Sequence, residues 1–437
     1  MSTDALPPLH ALFAWIRAHD EHAPVRLALL DRLQRFLNAE EAFSDRQRQE
    51  LAGRLERWRY QHLDRCGGRC TAEDRRLLDM LDEGAARLAG RPVITPPWPR
   101  GALVADCCEE LARLAACLEP RLALADLCRR AAALTQEHFQ RRIRLYAPLY
   151  LSNYCINHCV YCGFRHPLAM ERTHLDFDAA MAQAGILDKR GFRHILLVAG
   201  DFPSLTSTQY FVPIIRALSQ RGVRVVVEIA PQTTAAYAEL VAAGACGVTL
   251  YQETYNQRLY ALYHPRGSKA SYDWRLEGLE RAARAGMRRL GLGHLLGLAA
   301  PYDDLTALVR HAVYLKSRLP ASLLSFSLPR ICQAPQGFET PFPVDDQTFL
   351  RMYCALRVAF PQAELVLSTR EVPAMRNLLA TICITQLSAG SCTAPGGYCE
   401  GAARQCSGQQ FPVCDDRSTD EVAQWLREAG MTVTWEL

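Results

Sequence analysis

Short apolar segments alternate with helical segments over the last two thirds of the chain. From residue 145 onward, β-branched or Leu-rich runs are separated by stretches with helical spacing. Parallel strands covered by helices on their faces read as continuous apolar runs of this kind. Eight strand–helix units predict an α/β fold, a closed (βα)8 barrel of the TIM type, with its chemistry at the carboxyl ends of the strands. The predicted strands are 145–151, 194–199, 222–229, 246–251, 289–297, 323–328, 364–368 and 384–388.

The segment before the barrel has a different pattern. Residues 1–90 are rich in Leu, Ala, Arg and Glu at helical spacing, which predicts an N-terminal extension of about four amphipathic helices. Residues 91–144 are expected to hold a proline-rich linker and helices leading into the barrel, and residues 145–437 the barrel with a C-terminal lid segment. Two roles fit the extension: docking of a protein partner, or an insulating cap.

Composition excludes several classes of protein. A net charge of +4 over 437 residues is too small to favour nucleic-acid or membrane binding. Charged residues interrupt every apolar stretch well before 18 residues, so no transmembrane helix is expected. The N-terminus lacks the features of a secretory signal, and 17 cysteines is an odd number. Together these observations predict a cytoplasmic protein with reduced or metal-bound thiols rather than a disulfide framework.

Three cysteines follow the first predicted strand at a tight spacing. Cys155, Cys159 and Cys162 can fill three corners of a 4Fe-4S cubane and leave its fourth iron open. A zinc site is one alternative, with His158 or His166 as the fourth ligand. Three unconnected core thiols are the other.

The residues around the triplet favour the cluster. An apolar strand precedes it, and Tyr161 and Phe164 bracket its third cysteine. This arrangement is typical of enzymes that reductively cleave S-adenosylmethionine (SAM) to a carbon radical, a chemistry that the protein positions and shields.

Polar residues at later strand ends are candidate ligands for SAM. Asp201 follows Ala199-Gly200 and is predicted to hold the methionyl ammonium, although a carboxylate in this position is commonly a helix cap. Gln252 and Glu253 lie in a polar and aromatic run after strand four, where they could bind ribose hydroxyls or substrate; Glu253 is also a candidate catalytic residue. The other predicted cofactor contacts are Tyr161, Glu228 and Arg275.

Two arginines are candidates for binding the carboxylate of SAM or of an amino-acid substrate. Arg330 follows strand six and Arg370 follows strand seven, and a guanidinium is the natural bidentate partner of a carboxylate. Both are predicted to be catalytic-site residues. The alternative for Arg370 is a structural pair with Glu371. The Gly- and Ser-rich run 388–398 predicts a lid or a substrate-binding edge.

Taken together, these motifs resemble the radical SAM aromatic amino-acid lyases, in particular the tyrosine lyases of thiamine-thiazole synthesis (2-iminoacetate synthase) and of hydrogenase maturation. The likeness runs from about residue 125 to the end, and it includes 191–198, 251–255, 367–371, 388–398 and 410–418.

The resemblance implies a specific reaction. A 4Fe-4S cluster on Cys155, Cys159 and Cys162, with SAM, would yield a 5′-deoxyadenosyl radical. Abstraction of hydrogen from the amino group of tyrosine would lead to Cα–Cβ cleavage, giving 2-iminoacetate and p-cresol. A small-molecule amino acid as substrate and a one-electron donor, flavodoxin or ferredoxin, are implied partners.

Departures from the family pattern leave alternatives open. Asp201 stands where the family usually has Glu, and Cys332 stands where many relatives have a second arginine after strand six. The replacement at Cys332 favours the alternative of a lyase that acts on tryptophan or another amino acid; a separate alternative is a non-catalytic iron–sulfur scaffold. Four cysteines near the C-terminus could bind a second cluster or be scattered thiols: Cys392, Cys399, Cys406 and Cys414.

Overall fold

The computed structural model describes residues 9–20, 22–39, 42–66, 71–90, 108–331, 334, 337–399 and 408–435. The chain forms two compact units, Met1–Thr95 and Pro96–Leu437. The predicted linker after residue 90 lies outside the described residues as far as residue 107. None of the described helices combines the length and the apolar character needed to cross a membrane.

The first unit is helical. Leu, Ala and aromatic side chains at helical spacing pack into one core that includes Leu55, Trp58 and Leu81. The fourth helix begins with a capping box, in which Thr71 and Asp74 satisfy each other's backbone N–H groups. The predicted N-terminal helices are confirmed, with bounds α1 (Leu9–His19), α2 (Ala23–Leu37), α3 (Asp45–Cys66) and α4 (Ala72–Leu88).

The second unit is a closed parallel barrel. Each strand pairs in parallel with the next along the chain, and the first strand pairs with both the second and the eighth, so the eight-stranded sheet has no free edge. The predicted (βα)8 fold is confirmed. The strands are β1 (Arg142–Ser152), β2 (His194–Ala199), β3 (Arg224–Glu228), β4 (Ala245–Thr249), β5 (Arg289–Gly293), β6 (Leu323–Ser327), β7 (Glu364–Leu367) and β8 (Gln386–Ser388).

Helices surround the barrel and two of them precede it. A ninth strand, β9 (Thr432–Thr434), pairs with the amino end of β1 outside the barrel. The helices are α5 (Glu109–Leu118), α6 (Leu124–Phe139), α7 (Phe177–Lys189), α8 (Thr208–Gln220), α9 (Thr234–Ala243), α10 (Gln257–Tyr263), α11 (Tyr272–Leu276), α12 (Gly278–Arg284), α13 (Pro301–Arg318), α14 (Asp346–Ala359), α15 (Pro373–Ile382) and α16 (Thr419–Glu428).

An ion network closes the amino ends of the strands. Arg144 of β1 donates from Nη1 to Glu364 Oε1 at 2.6 Å, and Arg289 of β5 donates to the other oxygen of the same carboxylate. Gln386 of β8 donates to Glu364 Oε2 at 2.6 Å. Burial lowers the pKa of Arg289 to about 10. The first residues of three strands and the third residue of β1 are thus joined through one carboxylate, which fixes the strands where no loop chemistry is expected.

Candidate active site

A cavity opens at the carboxyl ends of the barrel strands. Its empty volume is about 980 Å³, the open solvent at its mouth included. Aromatic and aliphatic side chains form half of its wall, and a few charged groups converge on it, as is typical of small-molecule sites. Five of the predicted site residues line it: Tyr161, Cys162, Glu228, Glu253 and Arg370. The other predicted site residues do not line it directly: Cys155, Cys159, Asp201, Gln252, Arg275 and Arg330.

The three cysteines lie on the loop that follows β1. The backbone N–H of Asn157 donates to Cys155 Sγ at 3.5 Å, and that of Phe164 donates to Cys162 Sγ at 3.4 Å. N–H donors aimed at sulfur stabilise thiolate ligands and tune a bound cluster. Cys159 is almost fully buried, and burial raises its pKa to about 12. A bound metal would ionise these thiols, and three thiols on one loop, two of them with N–H donors aimed at sulfur, are a donor set that fits an iron–sulfur cluster.

One amide side chain ties this loop to its neighbours. Asn157 donates from Nδ2 to Asp201 Oδ2 at 2.9 Å, and its Oδ1 accepts from the Lys269 backbone N–H at 2.8 Å. Two glycines make room for these contacts: a Cβ on Gly200 would lie 2.2 Å from a backbone oxygen of the loop, and one on Gly267 would lie 2.2 Å from Asn157 Oδ1. Asp201 therefore lies beside the cysteine loop, as a residue that contacts SAM there would.

The loop also packs on a segment from the far end of the chain. The Gly163 N–H donates to the backbone oxygen of Gln410 at 3.1 Å, and a Cβ at Gly163 would lie 2.4 Å from that oxygen. Gln410 in turn accepts from the Tyr150 hydroxyl at 2.7 Å, and the Phe164 ring packs edge-on against Tyr150. The position of the third cysteine thus depends on residues that follow the last barrel strand.

A buried cluster of charges lies beside the loop. Glu253 follows β4 with a φ of +71°, a left-handed conformation that is costly for a residue other than glycine and typical of functional sites. Its carboxylate pairs with Lys269 Nζ at 2.6 Å and Arg275 Nη2 at 3.3 Å. Against the effect of burial, these two cations hold the pKa of Glu253 down at about 2. The carboxylate is ionised and fixes two cations next to the cavity.

Tyr161 faces the same cluster. Its hydroxyl lies 2.7 Å from His264 Nε2, and the Lys269 ammonium lies 5.7 Å from the centre of its ring. Burial lowers the pKa of His264 to about 3, and Lys269 contributes in the same direction, so the imidazole is neutral. Gln252 is buried nearby, where its side-chain amide donates to the Tyr272 carbonyl at 3.4 Å.

The two predicted arginines have different surroundings. Arg330 forms a bidentate pair with Glu371, at 2.9 and 2.5 Å, and also donates to Asp346 Oδ1 at 2.8 Å. Glu371, considered in the sequence as a partner for Arg370, is therefore bound by Arg330. Arg370 lies on the cavity wall with its guanidinium 3.6 Å from the centre of the Phe411 ring. At this distance the guanidinium lies against the aromatic ring, a contact that lysine does not reproduce.

Sequence reasoning missed two residues of the site, Lys269 and Asn157. Neither follows a strand directly, and each is placed by contacts with a distant loop. Gly200 and Gly267 stand near these residues in the fold, but the sequence does not show what the two glycines pack against. Their close contacts with the cysteine loop are seen only in the structure.

The C-terminal cysteines do not form a visible second site. Cys392 is fully buried, whereas Cys399 and Cys414 are partly exposed; Cys406 lies outside the described residues, as does Cys332. The three C-terminal cysteines that the structure describes do not come together with one another, or with His, Asp or Glu side chains, in a group of three arranged to hold a metal ion. The two alternatives from the sequence, a second cluster and scattered thiols, both stay predictions.

Comparisons with known proteins agree with this geometry. Residues 149–312 match the radical SAM superfamily, and residues 327–432 match the biotin and thiamin synthesis associated domain. 2-Iminoacetate synthase of Escherichia coli (strain K12) is 35% identical over 314 residues, which cover 72% of this chain and 82% of that protein. The chain belongs to the 2-iminoacetate synthase family. The Salmonella typhimurium synthase is 34% identical, over 74% of this chain and 86% of its own.

Solved structures extend the family relation. The FeFe-hydrogenase maturase HydG from Carboxydothermus hydrogenoformans is 28% identical, with a TM-score of 0.69 over 90% of this chain and 86% of its own. Methylornithine synthase is 20% identical, with a TM-score of 0.60 over 75% of this chain and 93% of its own, and shares the fold. As a member of the radical SAM superfamily, the protein is an enzyme whose cofactors are a 4Fe-4S cluster and SAM.

Proposed function

We propose that this protein is a tyrosine lyase that cleaves the Cα–Cβ bond of tyrosine to give 2-iminoacetate and p-cresol. Membership of the 2-iminoacetate synthase family supports this reaction. The observation that carries it is the placement of Arg370, stacked on Phe411 in a cavity whose wall also includes Cys162. An amino acid whose carboxylate is bound by Arg370 would lie in the same cavity that Cys162 of the cysteine loop lines.

The cofactor residues are assigned to the cysteine loop and to the charged cluster beside it. Cys155, Cys159 and Cys162 hold the cluster, and the carboxylate of Asp201 beside the loop receives the methionyl ammonium of SAM. Lys269 and Arg275, both fixed by Glu253, offer positive charge to the SAM carboxylate. When bound, this pair of cofactors supplies a 5′-deoxyadenosyl radical.

The substrate end of the cavity is built to hold a zwitterion with an aromatic side chain. Arg370 binds the carboxylate through in-plane N–H donors. Tyr146, Tyr150 and Tyr251 on the wall offer aromatic faces to the ring of tyrosine. Arg330, engaged with Glu371 and Asp346, positions the loop after β6 instead of binding substrate.

Water is kept from the reacting atoms by the segment that follows β8. Thr393 lies on the cavity wall, and the Tyr398 hydroxyl donates to the Pro148 carbonyl of β1 at 2.6 Å. Most of the residues from 388 to 399 are buried. The segment therefore acts as a fixed edge of the cavity that shields a radical from solvent.

The reaction also requires a source of electrons. We assign that role to a low-potential one-electron donor, flavodoxin or ferredoxin, in a cytoplasmic setting whose reducing conditions keep thiols reduced. We also propose that residues 1–90 bind a protein partner, with the electron donor as the candidate. The test is to compare binding of the donor to the full chain and to a chain that lacks residues 1–90.

An anaerobic turnover assay tests the reaction. The reconstituted enzyme is mixed with SAM and a chemical reductant, and with tyrosine or tryptophan in parallel. We expect 5′-deoxyadenosine and p-cresol in equal amounts from tyrosine. If 5′-deoxyadenosine forms without p-cresol, the substrate is another amino acid. If a protein with a full cluster forms no 5′-deoxyadenosine, the result favours a non-catalytic scaffold.

A further inference from the structure

One carboxylate on the cavity wall, predicted from the sequence as a cofactor contact, has no role in the proposed function. Glu228 is the last residue of β3 and faces the cavity. No described residue donates a hydrogen bond to its carboxylate or forms an ion pair with it. Glu253, on the same wall, is by contrast paired with Lys269 and Arg275. Natural proteins rarely leave a carboxyl group in such surroundings unless a ligand uses it.

Glu228 lies among groups of both signs. Burial, with Glu253 as a second cause, raises its pKa to about 7, whereas the cations nearby act in the opposite direction. Its charge in turn is one cause of the raised pKa of each tyrosine hydroxyl around it. The groups that face it are Tyr146 and Tyr150 of β1, Tyr251 and Glu253 after β4, Lys269, Arg275 of α11 and Arg370 after β7.

The proposed reaction requires a proton acceptor near the substrate nitrogen. Tyrosine binds as a zwitterion, and its ammonium nitrogen has no lone pair and no weakened N–H bond. Removal of one proton gives the neutral amine from which a hydrogen atom can be taken. With the carboxylate of the substrate at Arg370, the substrate nitrogen needs an anionic partner on the same wall, and Glu228 is close enough to Arg370 for their charges to interact.

We infer that Glu228 binds the substrate ammonium, accepts one of its protons before the radical step, and returns that proton to the departing aromatic fragment. In the first transfer an N–H bond breaks and an O–H bond forms at the carboxylate. After hydrogen-atom abstraction and Cα–Cβ cleavage, the 4-hydroxybenzyl fragment takes one electron from the one-electron donor and the proton from Glu228. p-Cresol forms, and the carboxylate is regenerated. This inference rests on the proposed function.

Substrate affinity gives a readout that does not depend on turnover. The dissociation constant of tyrosine is measured with the cluster-loaded, SAM-bound enzyme without reductant, from pH 6 to pH 8. A protonated Glu228 cannot pair with the ammonium, so the wild-type constant should be about tenfold larger at pH 6 than at pH 8. For 3-(4-hydroxyphenyl)propionate, which lacks the amine, we expect no such weakening at pH 6.

Variants assign the effect to this residue. In Glu228→Gln the pH dependence should vanish, and p-cresol formation should fall by about 100-fold or more, as for loss of a general acid–base group. Glu228→Asp, which keeps the carboxyl group, should retain the pH dependence. A wild-type constant that is flat from pH 6 to pH 8, or a tenfold change that persists in Glu228→Gln, overturns the inference. Absence of p-cresol from the wild-type enzyme would instead refute the proposed reaction, whichever way the affinity profile falls.

Discussion

At the amino ends of the barrel strands three side chains donate to one carboxylate, that of Glu364, whereas at the carboxyl ends the Glu228 carboxylate faces a cavity. Both groups lie inside the same barrel and both lose hydration there. Mutual pairing at the first end satisfies the Glu364 carboxylate within the barrel and fixes the strands. At the second end the carboxylate is left for a ligand to pair with. The amino ends of the strands therefore contribute to stability, and the carboxyl ends carry the chemistry.

The largest expected difference between the two ends of the barrel is the effect of replacing a cysteine on iron content and activity. Cys159→Ala at the cavity end should abolish cluster binding and turnover, because three thiolates are needed to hold the cubane. Cys246→Ala, in β4 near the other end, is the matched control and should keep full iron content and activity. Iron analysis and the visible spectrum of the reconstituted variants measure this, and full iron in Cys159→Ala would refute the ligand assignment.

A second comparison sets the two carboxylates against each other. Glu364→Gln leaves Arg144 and Arg289 close together without their shared anion, and breaking a buried pair of this kind costs about 3–5 kcal/mol. We expect a clear fall in the thermal midpoint. Glu228→Gln removes a carboxylate with no described partner and should leave the midpoint almost unchanged. Calorimetry on both apoproteins checks this, and equal destabilisation would show that Glu228 is a structural residue.

The smallest expected effect is on the apparent KM for tyrosine, and it distinguishes Arg370 from Arg330. Arg370→Lys keeps the charge but loses the planar fork, so the apparent KM for tyrosine should rise about tenfold, equivalent to about 1.4 kcal/mol, with a smaller change in kcat. Arg330→Lys weakens the pair with Glu371 and should act on stability instead. Steady-state kinetics with saturating SAM distinguishes them. A larger KM effect at Arg330 would return the carboxylate-binding role to that residue.

The sequence predicts the barrel well because its strands are buried on both faces and its helices are amphipathic. Strand β2 lies where the apolar run 194–199 places it, and β5 is shorter than predicted because residues 294–297 form the loop at the cavity. Strand ends also indicate Glu228 and Arg370, since alternation along the chain locates the rim. Lys269 could not be found in this way, because its place depends on the packing of Gly267 against Asn157. The partner of Glu371 was equally hidden, because it comes from the end of another strand.

The contact between Gly163 and Gln410 has a consequence for how the enzyme matures. The cysteine loop follows the first barrel strand, but the backbone on which it rests is made 247 residues later. During translation the three thiols emerge long before their final surroundings exist. The native surroundings of the cluster site therefore exist only once the chain is nearly complete.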